Sequence, residues 1–325
     1  MPVLGIESSA HTLGIGIVEK GTILANEKSM YRIRSGIIPM RVADFHARNC
    51  GMLLKRALEK ARLSISDIDA IGYTKGPGLG PCLRVGQIMA RTIAVESGLP
   101  IYPVNHAAAH IEITKHLAHF NDPLALYVSG GNSQILALAD KPFRHYHIYG
   151  ETFDIGVGNM LDSFARAAKL VPAWGSSVEK AAVGGSYIEM PYTVKGMDFA
   201  FTGLLTHAIK ELKVHSVRDV AFSLQETAFS MLCEATERAL LLTHKKELAM
   251  SGGVAQSTRL KEMLRLIAKE HKARFYVAPN EFNSDNGAMI ALVAEEMHRS
   301  GKRFTLKDCT IEQRYRIDGV EVAWE

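Results

Sequence analysis

Two histidines four residues apart, His106 and His110, lie in the stretch Val104-Asn-His-Ala-Ala-Ala-His-Ile111. Three alanines fill the intervening turn and Pro103 stands just before it, so the segment reads as a helix. A spacing of four puts both imidazoles on one face, one turn apart, which suits two ligands of a single metal ion. Thirteen histidines in the chain make such a pair common by chance, so the pair needs a third, anionic ligand to become a site. Asp285, in Asn283-Ser-Asp-Asn-Gly287, is the candidate. Locally it reads as a helix N-cap; it becomes a ligand if the fold brings its loop to the histidines. Ala107 follows His106, so the glutamate that activates water in a His-Glu-x-x-His protease is missing.

Glycine loops form the second set. Ser129-Gly-Gly-Asn-Ser133 lies between two apolar stretches. It can expose backbone N–H groups to a phosphate, or serve as a hairpin turn. Ser251-Gly-Gly-Val-Ala255 follows a strand and opens a helix, where the helix dipole adds to the same effect. Gly76-Pro-Gly-Leu-Gly-Pro81 is either a rigid connection or a loop lining a cleft. Tyr127 alternates with apolar residues on its strand, and Asp162 and Glu179 read as helix-surface carboxylates.

The elements that must hold these groups recur in two rounds. The first runs through strands at 3–6, 13–18 and 22–25, a helix at 42–62, a strand at 68–74, a helix at 85–96, a short strand at 101–104 and the histidine helix. The second has strands at 124–128, 134–138 and 145–149, helices at 160–170, 204–212 and 220–244, a strand at 247–250, and helices at 259–269 and 286–298. This internal duplication predicts two α/β domains, each a mixed sheet flanked by helices, with ligands in the cleft between them. The expected boundaries are 1–118, joined by the tail 301–325, and 119–300.

Composition narrows the class. A chain of 325 residues suggests two domains. It has no apolar run long enough to span a membrane, and it opens on a strand carrying an early acid, unlike a signal peptide. Its four cysteines are widely spaced, which fits a reducing cytoplasm. The net charge of +4 is mild, but eight Lys/Arg fall between Tyr31 and Arg62, against Asp44 and Glu59. Arg41, Arg48 and Lys55 belong to this group, which is a solvated helix face or a surface for an RNA backbone.

Taken together, the motifs resemble a known family. Besides the stretches above they include Gly5-Ile-Glu-Ser-Ser-Ala-His-Thr-Leu-Gly14, Glu151-Thr-Phe-Asp-Ile-Gly-Val-Gly-Asn159 and Ser284-Asp-Asn-Gly-Ala-Met289. The chain is similar along almost its whole length to the tRNA threonylcarbamoyladenosine transferases, once named O-sialoglycoprotein endopeptidases. It is most similar to the archaeal and eukaryotic branch that forms the catalytic subunit of the KEOPS complex. The resemblance implies two actin/sugar kinase/heat-shock-protein-like (RNase H-like) domains. It implies a divalent metal, iron or zinc, on His106, His110 and Asp285, with Tyr127 a further ligand. It also implies an ATP/AMP-type nucleotide, the threonylcarbamoyl-adenylate, on Tyr127, Val128, Ser129, Gly130, Gly131, Asp162, Gly175, Glu179 and Ser257. The implied reaction moves the threonylcarbamoyl group to adenosine 37 of tRNAs reading codons that begin with A. The implied partners are tRNA, a small KEOPS subunit on the first domain and an atypical kinase on the second. Two departures stand out: Ala173-Trp-Gly-Ser-Ser177 replaces the family's Pro-Gly-Gly-Pro, and Ser257 replaces its asparagine, offering one hydroxyl for an amide. The rival readings are a scaffold with a degenerate nucleotide site, an ATPase or small-molecule kinase, and a metalloprotease.

Overall fold

The computed structural model describes residues 1–31, 38–322 and 324, which form two compact units. Unit 1 comprises residues 1–117, 139–146 and 284–325, and unit 2 comprises residues 118–138 and 147–283. Arg32 and Arg34 of the basic region lie outside the described residues.

Unit 1 begins with β1 (Pro2–Glu7), β2 (Thr12–Glu19) and β3 (Thr22–Met30). There follow α1 (Pro39–Ala61), β4 (Ala70–Gly76), α2 (Gly80–Ser97), β5 (Ile101–Asn105) and α3 (His106–Ala118). β1, β2, β4 and β5 are buried along nearly their whole length, as their unbroken apolar runs require of strands covered on both faces. The sheet order is β3-β2-β1-β4-β5; β1 pairs antiparallel with β2 and parallel with β4, and β4 is parallel to β5.

Unit 2 contains β6 (Leu124–Val128), β7 (Ser133–Ala139), β8 (His145–Glu151), α4 (Val157–Ala167) and α5 (Gly175–Ala182). A small ribbon follows, β9 (Val194–Lys195) and β10 (Asp198–Phe199), then α6 (Thr202–Glu211) and α7 (Val217–Thr243). The last elements before residue 284 are β11 (Glu247–Ser251), α8 (Thr258–Glu270), β12 (Arg274–Val277) and α9 (Asn280–Asn283). The sheet order is β12-β11-β6-β7-β8, with β6 antiparallel to β7 and parallel to β11. Each unit therefore has two meandering strands on one side of its first strand and two parallel crossover strands on the other. That is the duplication expected from the element order.

The final helix, α10 (Gly287–Arg299), belongs to unit 1, whereas the sequence boundary 119–300 assigned it to the second domain. Glycines decide the matter. A Cβ on Gly5 would lie 2.2 Å from the Ala291 nitrogen, and one on Gly16 would lie 2.2 Å from the Ala288 nitrogen. Side chain-free strand positions let the helix backbone settle on β1 and β2, and sequence periodicity does not reveal such a partner. The tail also packs on unit 1: the Glu312 amide donates to the Lys75 carbonyl and the Tyr73 hydroxyl to the Thr310 carbonyl, both at 2.8 Å.

α1 starts three residues before the expected 42, with Pro39 in its first turn, where a missing N–H costs nothing. Its apolar stripe packs into the unit 1 core: Val42, Leu53 and Ala57 are buried, and Cys50, Leu54 and Leu58 lie against them.

Candidate metal and nucleotide sites

The metal candidate is built where parallel strands of unit 1 end. β5 runs directly into α3, whose first turn is capped by Asn105: its side-chain oxygen accepts the amides of Ala107 and Ala108 at 3.0 and 3.1 Å. This cap places His106 at the start of the helix and His110 one turn on, their ring centroids 4.7 Å apart. Asp285 arrives from the turn before α10. Its Oδ1 lies 3.4 Å from His110 Nε2 and 3.6 Å from His106 Nε2. One ligand atom from each of the three lies within 4.8 Å of the others. His106 is 8% and His110 1% exposed, so both rings are sheltered from water, while the Asp285 side chain stays 20% exposed. Two buried imidazole nitrogens and a partly buried carboxylate oxygen, close together, fit a divalent transition-metal ion.

The electrostatics agree with a tightly coupled cluster. Burial alone would raise Asp285, but the His110 hydrogen bond and the two imidazoles hold its carboxyl well below the usual range. Burial lowers His110. It also works against a charged His106, yet the Glu7 carboxylate, with Asp285 behind it, carries His106 up to about 9. In the sequence Glu7 has no assigned role: it is an acid at the end of an apolar strand, within the motif Gly5-Ile-Glu-Ser-Ser9 that the family resemblance includes. In the structure it is fully buried, 2.9 Å from His106 Nδ1.

Unit 2 gathers the glycine loops. The Ser129 amide donates to the Asn132 carbonyl at 2.8 Å and the Asn132 amide returns to Ser129 Oγ at 3.0 Å, closing a tight turn. Gly130 and Gly131 are exposed at its tip. Tyr127 and Val128 are buried on β6, with Tyr127 opposite Ser251 of β11. Gly252 is held at φ +96, and a Cβ there would meet the Val128 carbonyl oxygen at 2.4 Å, so glycine is required at that position.

The second loop departs from expectation. It does not open a long helix directly: a short 3-10 turn (Gly253–Gln256) intervenes before α8. The N-terminus of α8 is also capped from within the chain. Ser257 Oγ accepts the Leu260 amide at 3.3 Å, and Glu179 Oε1 accepts the Thr258 amide at 2.9 Å. Asp162 Oδ1 likewise accepts the Gly175 amide at 2.7 Å, at the start of α5. These three candidate nucleotide residues thus have structural employment, a finding that spacing alone does not disclose. Arg41, Arg48 and Lys55 are exposed on α1, with Arg48 paired to Asp44 and Lys55 to Glu59. No described helix is long and apolar enough to cross a membrane.

A family model described as tRNA N6-adenosine threonylcarbamoyltransferase matches residues 21–292. A relative of that name from Thermococcus kodakarensis is 46% identical over 329 residues, covering 100% of both chains. A probable bifunctional tRNA threonylcarbamoyladenosine biosynthesis protein from Thermoplasma acidophilum is also 46% identical; the chain covers 61% of it. Among solved structures, HypF from T. kodakarensis superposes with a TM-score of 0.64 at 14% identity, over 92% of this chain and 48% of that one. A ROK family glucokinase from Streptomyces griseus gives 0.51 at 13% identity, over 91% of this chain and 100% of its own. These distant likenesses agree with the duplicated actin- and sugar kinase-like architecture. With most of its length matched by one family model and its whole length by close relatives, the chain belongs to the tRNA N6-adenosine threonylcarbamoyltransferase family.

Proposed function

We propose that this chain transfers a threonylcarbamoyl group from its AMP adduct to the exocyclic amine of adenosine 37 in tRNAs reading codons that begin with A. The observation that carries this reading is the intact trio of His106, His110 and Asp285, two buried imidazoles and a partly buried carboxylate, in a member of this family. In the reaction the amine nitrogen bonds to the carbamoyl carbon, the bond from that carbon to the phosphate oxygen breaks, AMP departs with the electron pair, and the amine gives up a proton.

His106 and His110 offer imidazole nitrogens and Asp285 a carboxylate oxygen to the metal. When bound, the ion, iron or zinc, stabilises negative charge developing on oxygen. The backbone of Tyr127, Val128, Ser129, Gly130 and Gly131 meets the adenylate, with Asp162, Gly175, Glu179 and Ser257 around it. Glu179, Asp162 and Ser257 support the nucleotide by holding the starts of α8 and α5 in place. The rest of the setting is a cytoplasmic assembly containing tRNA, a small subunit on the first domain and an atypical kinase on the second.

The experiment is purified chain with those partners, threonylcarbamoyl-AMP and unmodified tRNA, followed by nucleoside mass spectrometry. Modified adenosine with the parent chain, and none with His106→Ala, is the expected result. Equal product from both would sink the trio's role. Absence of product with the parent would favour a scaffold.

A further inference from the structure

We propose that Glu7 is the positioning residue of this metal centre: its carboxylate keeps the hydrogen of His106 on Nδ1 and so turns the Nε2 lone pair toward Asp285 and His110. The inference rests on the metal reading above and deepens it.

A carboxylate only accepts hydrogen bonds, so a ring nitrogen 2.9 Å from Glu7 Oε2 must be the donor. Once a metal ion displaces the second proton, the imidazole has a single lone pair left, on Nε2, the nitrogen that faces Asp285 Oδ1. Glu7 is itself held. Oε1 accepts the Ser9 amide at 2.6 Å, and Oε2 accepts the Thr74 hydroxyl at 2.7 Å. Three parallel strands supply the parts: Glu7 ends β1, Thr74 sits near the end of β4, and His106 follows β5. Helix α2 closes over the turn after Glu7, because a Cβ on Gly86 would lie 2.2 Å from Ser8 Oγ. A carboxylate at zero exposure is costly unless every oxygen is engaged. Here the engagement is directed at a metal-facing imidazole. Loss of such an outer partner typically weakens metal binding by about 10- to 100-fold.

The test is Co²⁺ titration of the full-length protein by calorimetry, with the visible Co²⁺ spectrum recorded for each variant. The variants are Glu7→Gln, Thr74→Val and, as reference, His106→Ala, all checked for folding by circular dichroism. Glu7→Gln should bind Co²⁺ about 10-fold or more weakly with an altered spectrum. Thr74→Val, which removes only one brace, should show a smaller loss in the same direction. Parent affinity and spectrum in folded Glu7→Gln, with Co²⁺ lost in His106→Ala, would overturn the role of Glu7 alone. Retention of Co²⁺ by His106→Ala would instead overturn the metal reading beneath it. If Glu7→Gln does not fold, Thr74→Val decides, and unchanged Co²⁺ binding there rejects the proposal.

Discussion

Asn286 caps α10 and releases its neighbour Asp285 for the histidines. The Asn286 side-chain oxygen accepts the Met289 amide at 3.0 Å, while Asp285 Oδ1 lies 3.4 Å from His110 Nε2. Asp285 should therefore be replaceable without cost to the helix. Asp285→Asn is expected to lose bound metal, as measured on purified protein, while circular dichroism shows the helices still formed. His106→Ala should also lose metal, but at a cost of about 1–3 kcal/mol, because it strips the buried Glu7 of a donor. Full metal content in either variant removes that residue from the ligand set.

Gly131 has open space where a side chain would begin: among the described residues, no atom lies within 4 Å of the position a Cβ would take. Gly131→Val should accordingly fold normally. If the loop approaches a phosphate, the valine should weaken AMP or ATP binding at least 10-fold by steric block. Calorimetry giving the parent affinity would leave the loop as a turn only.

Ser257 acts on α8 as an N-cap. Ser257→Ala should lower stability by about 1 kcal/mol in a denaturant titration, whereas Ser257→Asn, an equally good cap, should retain it. Comparing adenylate affinity in the two folded variants separates capping from ligand contact, since a direct contact would make the alanine weaker than its stability loss explains.

Arg41, Arg48 and Lys55 lie exposed on α1, whose apolar face is already committed to the core. Replacing all three by Glu should weaken tRNA binding and flatten its dependence on salt, because fewer counterions are released. Adenylate affinity should not move. An unchanged salt slope would place the RNA surface elsewhere.

Burial and the neighbouring Glu112 push Glu296 up to about 8, against the pull of Lys115 and Arg299. The folded state thus holds a proton that the unfolded chain gives up near 4.5. This contribution is present below that value and is lost as pH rises through about 8. Glu296→Gln cannot ionise, so its melting temperature should gain on the parent's between about pH 5 and pH 9. A constant gap across that range would refute the shift.

Short-range periodicity was legible before folding. Alternating apolar runs and their glycine punctuation set the order of elements, and the identical order in the two sheets follows from it. The spacing of four puts His106 and His110 on one helical face whatever the tertiary contacts are. Contacts between distant segments emerged only once the chain was packed. Asp285 reaches the histidines from 175 residues beyond His110, because glycines on β1 and β2 admit the α10 backbone. Glu7, 99 residues before His106, reaches its ring because β1, β4 and β5 end together. The caps made by Glu179 and Ser257 are hidden for the same reason. A carboxylate or hydroxyl has the same chemistry in any sequence, and which amide it meets is settled by the packing of segments far apart in the chain.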